Sequence, residues 1–307
     1  MSLSNKTQKW LKKYGPEDMR GKTVVITGAN SGVGFKSAET MVYLGAKVVM
    51  ACRNLDKAER AKSDLLKDYP DAQIELMALD LADFSSIDAF VETIKDKQTD
   101  VHLFLNNAGV FHQPNKKTAN GIELVLGTNY FGTYYLTETL MPYLQTLPHE
   151  VQYVNTVSII HKVAKKVDFS NFYYEKKYGN FRVYARSKLC LARYTYALAQ
   201  ACATSNVRVL MNHPGIAITP LGINAFGKKV GKLAKAFSKI FNSPEKSSLS
   251  LALIAARDFE DGSIIGPNAL FGGWGYPKRN KVKGKVKREA EQLLAFTKAE
   301  IEKFCAR

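Results

Sequence analysis

The chain has 307 residues, 46% of them hydrophobic, with 44 Lys and Arg against 28 Asp and Glu, for a formal net charge of +16 at pH 7. That length and apolar content suit one large α/β domain and exclude a disordered or fibrous chain. No apolar run of about 18 residues occurs, residues 1–20 are polar, and the four cysteines and five histidines lack metal-ligand spacing, so the sequence predicts a soluble cytoplasmic protein with reduced thiols and no metal centre.

Taken in chain order, Lys22 to Thr27 (KTVVIT) is a β-branched run ending at glycines, followed by a helical pattern through Phe35, Ala38, Met41 and Leu44 and closed by Gly45. Lys47 to Cys52 predicts a second strand, residues 56–68 a charged helix, Ile74 to Leu79 a third strand and Ser85 to Lys95 a helix. Val101 to Leu105 predicts a fourth strand, Glu123 to Gln145 a long helix, Val151 to Val157 a fifth strand, Arg208 to Asn212 a sixth and Ala269 to Phe271 a seventh. Alternating strands and helices with continuous apolarity predict a doubly wound parallel sheet of about seven strands, with helices on both faces.

The expected organisation is an N-terminal extension over 1–20, one domain over 21–275, and a basic helical extension over 276–307. Residues 162–183 and 220–246 read as insertions. In the second, Val230, Leu233, Phe237, Ile240 and Phe241 fall on one face and lysines on the other. That pattern fits a lid over an apolar substrate, an ordinary surface helix, or a segment touching an anionic membrane. The basic excess concentrates there and in Lys278, Arg279, Lys281, Lys283, Lys285, Lys287 and Arg288. No groove-reading motif accompanies it, so solvated surface or a phosphate ligand accounts for the charge and no nucleic-acid partner is expected.

Two places carry chemistry. Gly28, Asn30, Ser31, Gly32, Val33 and Gly34 lie between the first strand and first helix, where a dinucleotide pyrophosphate rests on a helix N-terminus. At the end of the second strand, where an acid would accept from a free ribose 2′-hydroxyl, stands Arg53, a partner for a 2′-phosphate that favours NADP(H) over NAD(H). Asp80 and Leu81 follow the third strand and are placed near the adenine. Further on, Tyr184 and Lys188 share a helical face, and an ammonium beside a phenol favours the phenolate.

The chain resembles the short-chain dehydrogenase/reductase family from about Gly21 to Gly275. The motifs stand in the family's order: TGxxxGxG at Thr27 to Gly34, NNAG at Asn106 to Gly109, Asn129, Ser158, YxxxK at Tyr184 to Lys188, and Pro214-Gly215. Within it, Ala51-Cys52-Arg53, the long spacer from Ser158 to Tyr184, the segment Asp168 to Phe172 before Glu175 and Tyr178, and His213-Pro214-Gly215 are similar to the retinol dehydrogenase and WW-domain oxidoreductase branch.

The resemblance implies Tyr184 as acid/base, Lys188 on the nicotinamide ribose, Ser158 holding the substrate oxygen and Asn129 anchoring a water linked to Lys188. It adds Asn107, Ala108, Gly109, Pro214, Gly215 and Thr219 to the cofactor site, Thr219 at the carboxamide. It also implies pairing of two copies through 123–145 and 184–203. The pattern departs from the branch at Ala217, where a larger β-branched residue is common. The expected activity is NADP(H)-dependent interconversion of a carbonyl and an alcohol, with a hydrophobic ketone or aldehyde as substrate. A non-catalytic NADP(H)-binding regulator and a membrane-surface scaffold stand as alternatives.

Overall fold

The β-branched runs become the inner strands of one sheet in the computed structural model, which describes residues 2–111, 116–164, 167–173, 179–216, 242–269 and 272–305. The strands are β1 (Thr23–Thr27), β2 (Lys47–Cys52), β3 (Ile74–Ala78), β4 (Val101–Asn106), β5 (Val151–Thr156), β6 (Val207–Asn212), β7 (Ile264–Ala269) and β8 (Trp274–Asn280). Their order across the sheet is β3-β2-β1-β4-β5-β6-β7-β8. All pairs are parallel except β7 with β8.

Every residue of β1 is buried, as a parallel strand covered on both faces requires. Alternate side chains feed two cores. Val24, Ile26, Val48 and Met50 pack beneath helices Gly32–Tyr43 and Pro244–Ala256, while Val25, Val49 and Ala51 join helices Phe84–Asp96, Thr133–Leu144 and Asn180–Ala201 on the other side. Asn54 starts helix Leu55–Asp68 by accepting from the Lys57 N–H at 2.8 Å, which satisfies one of the free donors of the first turn.

Three elements differ from the sequence expectation. The seventh strand lies at Ile264–Ala269, earlier than 269–271, and an eighth, antiparallel strand follows it. The helix expected over 123–145 is interrupted: a turn at Leu124–Leu126 passes into a π-helical stretch, Gly127–Gly132, before the α-helix Thr133–Leu144. The basic C-terminal segment is integrated into the domain. β8 runs past residue 275, and helix Ala290–Cys305 buries Leu293 and Phe304 in the main core. That helix lies on helix Asn180–Ala201, and Thr297 Oγ1 meets the Tyr130 hydroxyl at 2.6 Å.

Among the described residues no helix is long and apolar enough to cross a membrane. The amphipathic pattern from Val230 to Phe241, together with Glu175, Tyr178, Ala217 and Thr219, lies outside the described residues.

Candidate active site

β1 pairs with β2 on one side and β4 on the other, so the chain turns from β1 toward β2 and from β4 toward β5 in opposite directions across the sheet and opens a crevice beyond the carboxyl ends of those strands. The glycine loop fills its near wall. Gly28 and Gly32 take φ of +66° and +58°, the left-handed region that side chains resist. A Cβ at position 34 would sit 2.4 Å from both Gly28 O and Asn107 Nδ2, so that contact between helix and loop admits only glycine. Thr27 locks the two loops together: its Oγ1 accepts from the N–H groups of Asn107 (3.0 Å) and Ala108 (2.9 Å), and Asn107 Nδ2 donates to Thr27 O at 3.0 Å. Ser31 opens helix Gly32–Tyr43 without a side-chain cap, which leaves the N–H groups of the first turn for an anion.

At the far end of β2, Arg53, Asn54 and Lys57 line the crevice with Asp80 and Leu81. Arg53 is 3.8 Å from the Asp80 carboxylate with its side chain mostly exposed, and Asp80 Oδ1 accepts from the Ala82 N–H at 2.9 Å. Lys57 is a second cation that sequence reasoning missed. Its nearness in sequence, four residues past Arg53 in the first turn of helix Leu55–Asp68, was the available signal.

The opposite end holds the titratable groups. Helix Asn180–Ala201 carries Tyr184 and Lys188 on one face. Lys188 is buried, and its ammonium donates to the Thr156 carbonyl at 2.8 Å, at the end of β5. Burial pulls its pKa down to about 8. Ser158 begins the short 3-10 turn Ile159–Lys162, its Oγ accepting from the Ile160 N–H at 3.3 Å. Burial pushes the Tyr184 phenol up, and the Ser158 hydroxyl beside it pulls the other way. The phenolate expected from the Tyr184–Lys188 spacing is therefore not favoured by the chain alone. Lys188 spends its contact on Thr156, and burial outweighs the help from Ser158.

Asn129 lies behind these groups in the π-helical stretch, fully buried. Its Oδ1 accepts from the Val110 N–H at 2.7 Å, while its Nδ2 donates to Val110 O at 2.9 Å and reaches Ser187 Oγ at 3.2 Å. A Cβ at Gly109 would come within 3.0 Å of Asn129 Oδ1 and 3.7 Å of Lys188 Nζ, which shows how closely the NNAG loop, Asn129 and Lys188 approach one another.

The burial of Lys188 has a measurable sign. An unfolded lysine keeps its proton to about pH 10.4. Between pH 8 and that value the unfolded chain therefore binds more protons than the folded one, and folding stability rises with pH; below pH 8 the cost is present in full. Urea unfolding of the wild type and Lys188→Met is expected to give a stability difference that is flat below pH 8. From there it should move in favour of the wild type up to about pH 10.4. A difference that stays flat over the whole range would contradict a buried, protonatable Lys188.

All of Gly28, Asn30, Ser31, Gly32, Val33, Gly34, Arg53, Asp80, Leu81, Asn107, Ala108, Gly109, Ser158, Tyr184, Lys188, Pro214 and Gly215 line one cleft of about 720 Å³. Asn129 stands behind its wall and Thr219 lies outside the described residues. Around Ser158 and Tyr184 the cleft is walled by Phe111, Ile159, Ile160, Phe181 and Ile216, none singled out from the sequence. The Phe111 ring meets the Tyr184 ring edge-on at 4.7 Å.

The family model for short chain dehydrogenases matches residues 22–229, which takes in both ends of this cleft. The chain belongs to the short-chain dehydrogenase family. Among curated proteins it is 35% identical over 242 residues to retinol dehydrogenase 12 of Mus musculus, covering 78% of this chain and 75% of that one. It is 38% identical over 197 residues to the Homo sapiens protein of the same name, covering 64% of this chain and 61% of that one. These relatives place it in the retinol dehydrogenase-like branch of short-chain dehydrogenases, as oxidoreductases acting on an alcohol or carbonyl.

Among solved structures, one from Mycobacterium paratuberculosis superposes with a TM-score of 0.75 at 27% identity, covering 93% of this chain and 94% of that one. The 3-ketoacyl-(acyl-carrier-protein) reductase of Brucella melitensis, complexed with NADH, gives 0.61 at 25% identity and covers 80% of this chain and 96% of that one. The L-sorbose reductase of Gluconobacter frateurii, complexed with NADPH and L-sorbose, gives 0.63 at 21% identity, covers 81% and 95%, and shares the fold.

Proposed function

We propose that the chain is an NADP(H)-dependent reductase of hydrophobic ketones or aldehydes, with Tyr184 as the proton donor. What supports this reading above all is that Ser158, Tyr184 and Lys188 line one end of a single cleft whose other end holds Arg53 and Lys57. The uncapped helix start at Ser31 and the glycine loop suit a pyrophosphate between those ends. Two cations near the adenosine position suit a third phosphate there.

A bound nicotinamide cofactor supplies the hydride. The chain supplies the rest. Tyr184, held protonated by burial, gives its proton to the carbonyl oxygen as negative charge develops on it. Ser158 holds the same oxygen and fixes its distance from the phenol. Lys188, anchored on Thr156, places a positive charge beneath the site, and Asn129 pins the loop at Val110 that closes the wall. A protonated donor at neutral pH suits the reductive direction.

The apolar wall of Phe111, Ile160, Phe181 and Ile216 favours a hydrophobic substrate, consistent with relatives named for retinol. The test is NADPH oxidation against matched panels of apolar aldehydes and ketones and of polar sugars. Turnover of the apolar panel with kcat/KM at least tenfold higher is expected. Faster turnover of the sugars would remove the substrate assignment, and tight NADPH binding with no turnover of any carbonyl would favour the non-catalytic regulator.

A further inference from the structure

β5 pairs with β6 as far as Thr156 opposite Asn212, and the next main-chain bond to the sheet runs from the Val157 N–H to Asn212 O at 2.8 Å. Ser158 stands one residue beyond that bond, where the sheet no longer fixes its direction. Two contacts hold it instead. Its Oγ accepts from the Ile160 N–H at 3.3 Å, which leaves the hydroxyl proton free to turn into the cleft. Its carbonyl takes two donors from a single residue, the His161 N–H at 3.0 Å and the His161 ring, whose Nδ1 is 2.5 Å away.

A carbonyl only accepts, so His161 Nδ1 carries the proton. The ring is 3% exposed. Burial pulls its pKa down to about 4; the Ser158 carbonyl acts the other way, and the charges of Lys162, Lys285 and Lys283 add to the lowering. At neutral pH the imidazole is therefore an uncharged donor and not a proton carrier, which would need a pKa near the working pH. A residue wanted only for its bulk could be apolar here, and burying an imidazole carries a desolvation cost that the bond to Ser158 O offsets.

The outer end of the turn is tied down separately. The Lys285 ammonium donates to the carbonyls of Lys162, at 3.3 Å, and of Ala164. The buried Arg193 guanidinium, on the helix that carries Tyr184, donates to Lys285 O at 3.2 Å. Removing the His161 ring therefore releases the Ser158 end of the turn and not the other.

We propose, given the reading of Ser158 as the group that holds the substrate oxygen, that His161 is a positioning residue for carbonyl reduction: by holding the Ser158 carbonyl with ring and main chain together, it sets the direction from which Ser158 Oγ meets that oxygen beside the Tyr184 phenol. Rotation of the Ser158 peptide plane breaks both bonds at once, and a misplacement of about 1 Å at a reacting centre is enough to cost 10²-fold in rate.

The test is a double-mutant cycle on the full chain, read by NADPH oxidation with the apolar carbonyl that the wild type turns over fastest. Ser158→Ala should lower kcat by roughly 10²- to 10³-fold, as loss of one donor to a developing oxyanion does. His161→Leu, similar in bulk and without a donor, should lower kcat by about ten- to a hundredfold and leave NADPH affinity unchanged. In the Ser158→Ala background the same substitution should cost less than about twofold, because no hydroxyl is left to misplace. His161→Asn, whose amide nitrogen falls where Nδ1 stands, should bring kcat to within about threefold of the wild type. Nitrogen-15 shifts of the wild-type imidazole at pH 7 are expected to show a proton on Nδ1 and a bare Nε2, a readout that needs neither turnover nor a variant. Losses that multiply in the double variant, an Asn variant no better than the Leu variant, or a ring protonated on Nε2 in place of Nδ1 would each overturn the positioning role. A wild type that reduces no carbonyl would instead remove the proposed function, and this role with it.

Discussion

Tyr184→Phe is expected to lower kcat for carbonyl reduction by about 10²- to 10⁴-fold, the range over which a positioned general acid contributes. NADPH affinity should be nearly unchanged. The substitution removes one oxygen and keeps the ring that packs edge-on against Phe111 at 4.7 Å, so the cleft wall and the path of helix Asn180–Ala201 persist. Stability should hold or rise slightly, because the hydroxyl sits where burial already disfavours its ionisation and its partner is the Ser158 hydroxyl. Steady-state kinetics together with fluorescence titration of NADPH separate the two effects. Undiminished turnover in the variant would sink the proton-donor role.

Arg53→Ala is expected to weaken NADPH binding by about ten- to a hundredfold, the value of a charge-assisted hydrogen bond to phosphate, and to leave NADH binding almost untouched. Asp80 sharpens the contrast. Its carboxylate, 3.8 Å from Arg53, loses its partner in the variant and then repels a 2′-phosphate, a penalty that only NADPH feels. Lys57, also lining that end of the cleft, should supply a smaller second increment in an Arg53→Ala, Lys57→Ala double variant. Titration of both cofactors at one ionic strength measures the ratio. Equal losses for NADPH and NADH would remove the phosphate assignment.

Local pattern sufficed for much of the molecule. β1 to β6 are short, largely apolar runs bounded by turns or loops, and the glycine loop declares itself because close approach of Gly34 to Gly28 leaves no room for a side chain. Tyr184 and Lys188 could be paired from helical spacing alone. β7 could not be read in the same way, since Gly266 and Pro267 argue against a strand. Gly266 is there because a Cβ would lie 2.3 Å from His213 O, a contact between distant segments that the sequence does not display. Lys278 and Arg279 read as solvated surface or a phosphate site in a helical extension; they lie on β8, an edge strand, where charge discourages pairing with another sheet.

The pairing surface implied by the resemblance meets the same kind of tertiary fact. Helix Ala290–Cys305 of this chain already covers part of helix Asn180–Ala201 and the π-helical stretch, through contacts such as Thr297 with Tyr130. Lys57 and the apolar wall around Tyr184 escaped notice for a related reason. Their place in the cleft depends on neighbours from other strands and not on any motif of their own.

The widened turn at Gly127–Gly132 holds about one residue more than an α-helical turn would, so the phase of the helix that follows is kept. Deleting one residue there would return the stretch to α-helical bonding and leave Leu136, Leu140 and Leu144, all fully buried, facing the core. What the deletion would displace is local: Asn129 sits in that turn and holds the Val110 N–H and carbonyl through its two amide atoms. The irregularity is therefore tied to the loop that it grips and not to the packing of the helix that it precedes.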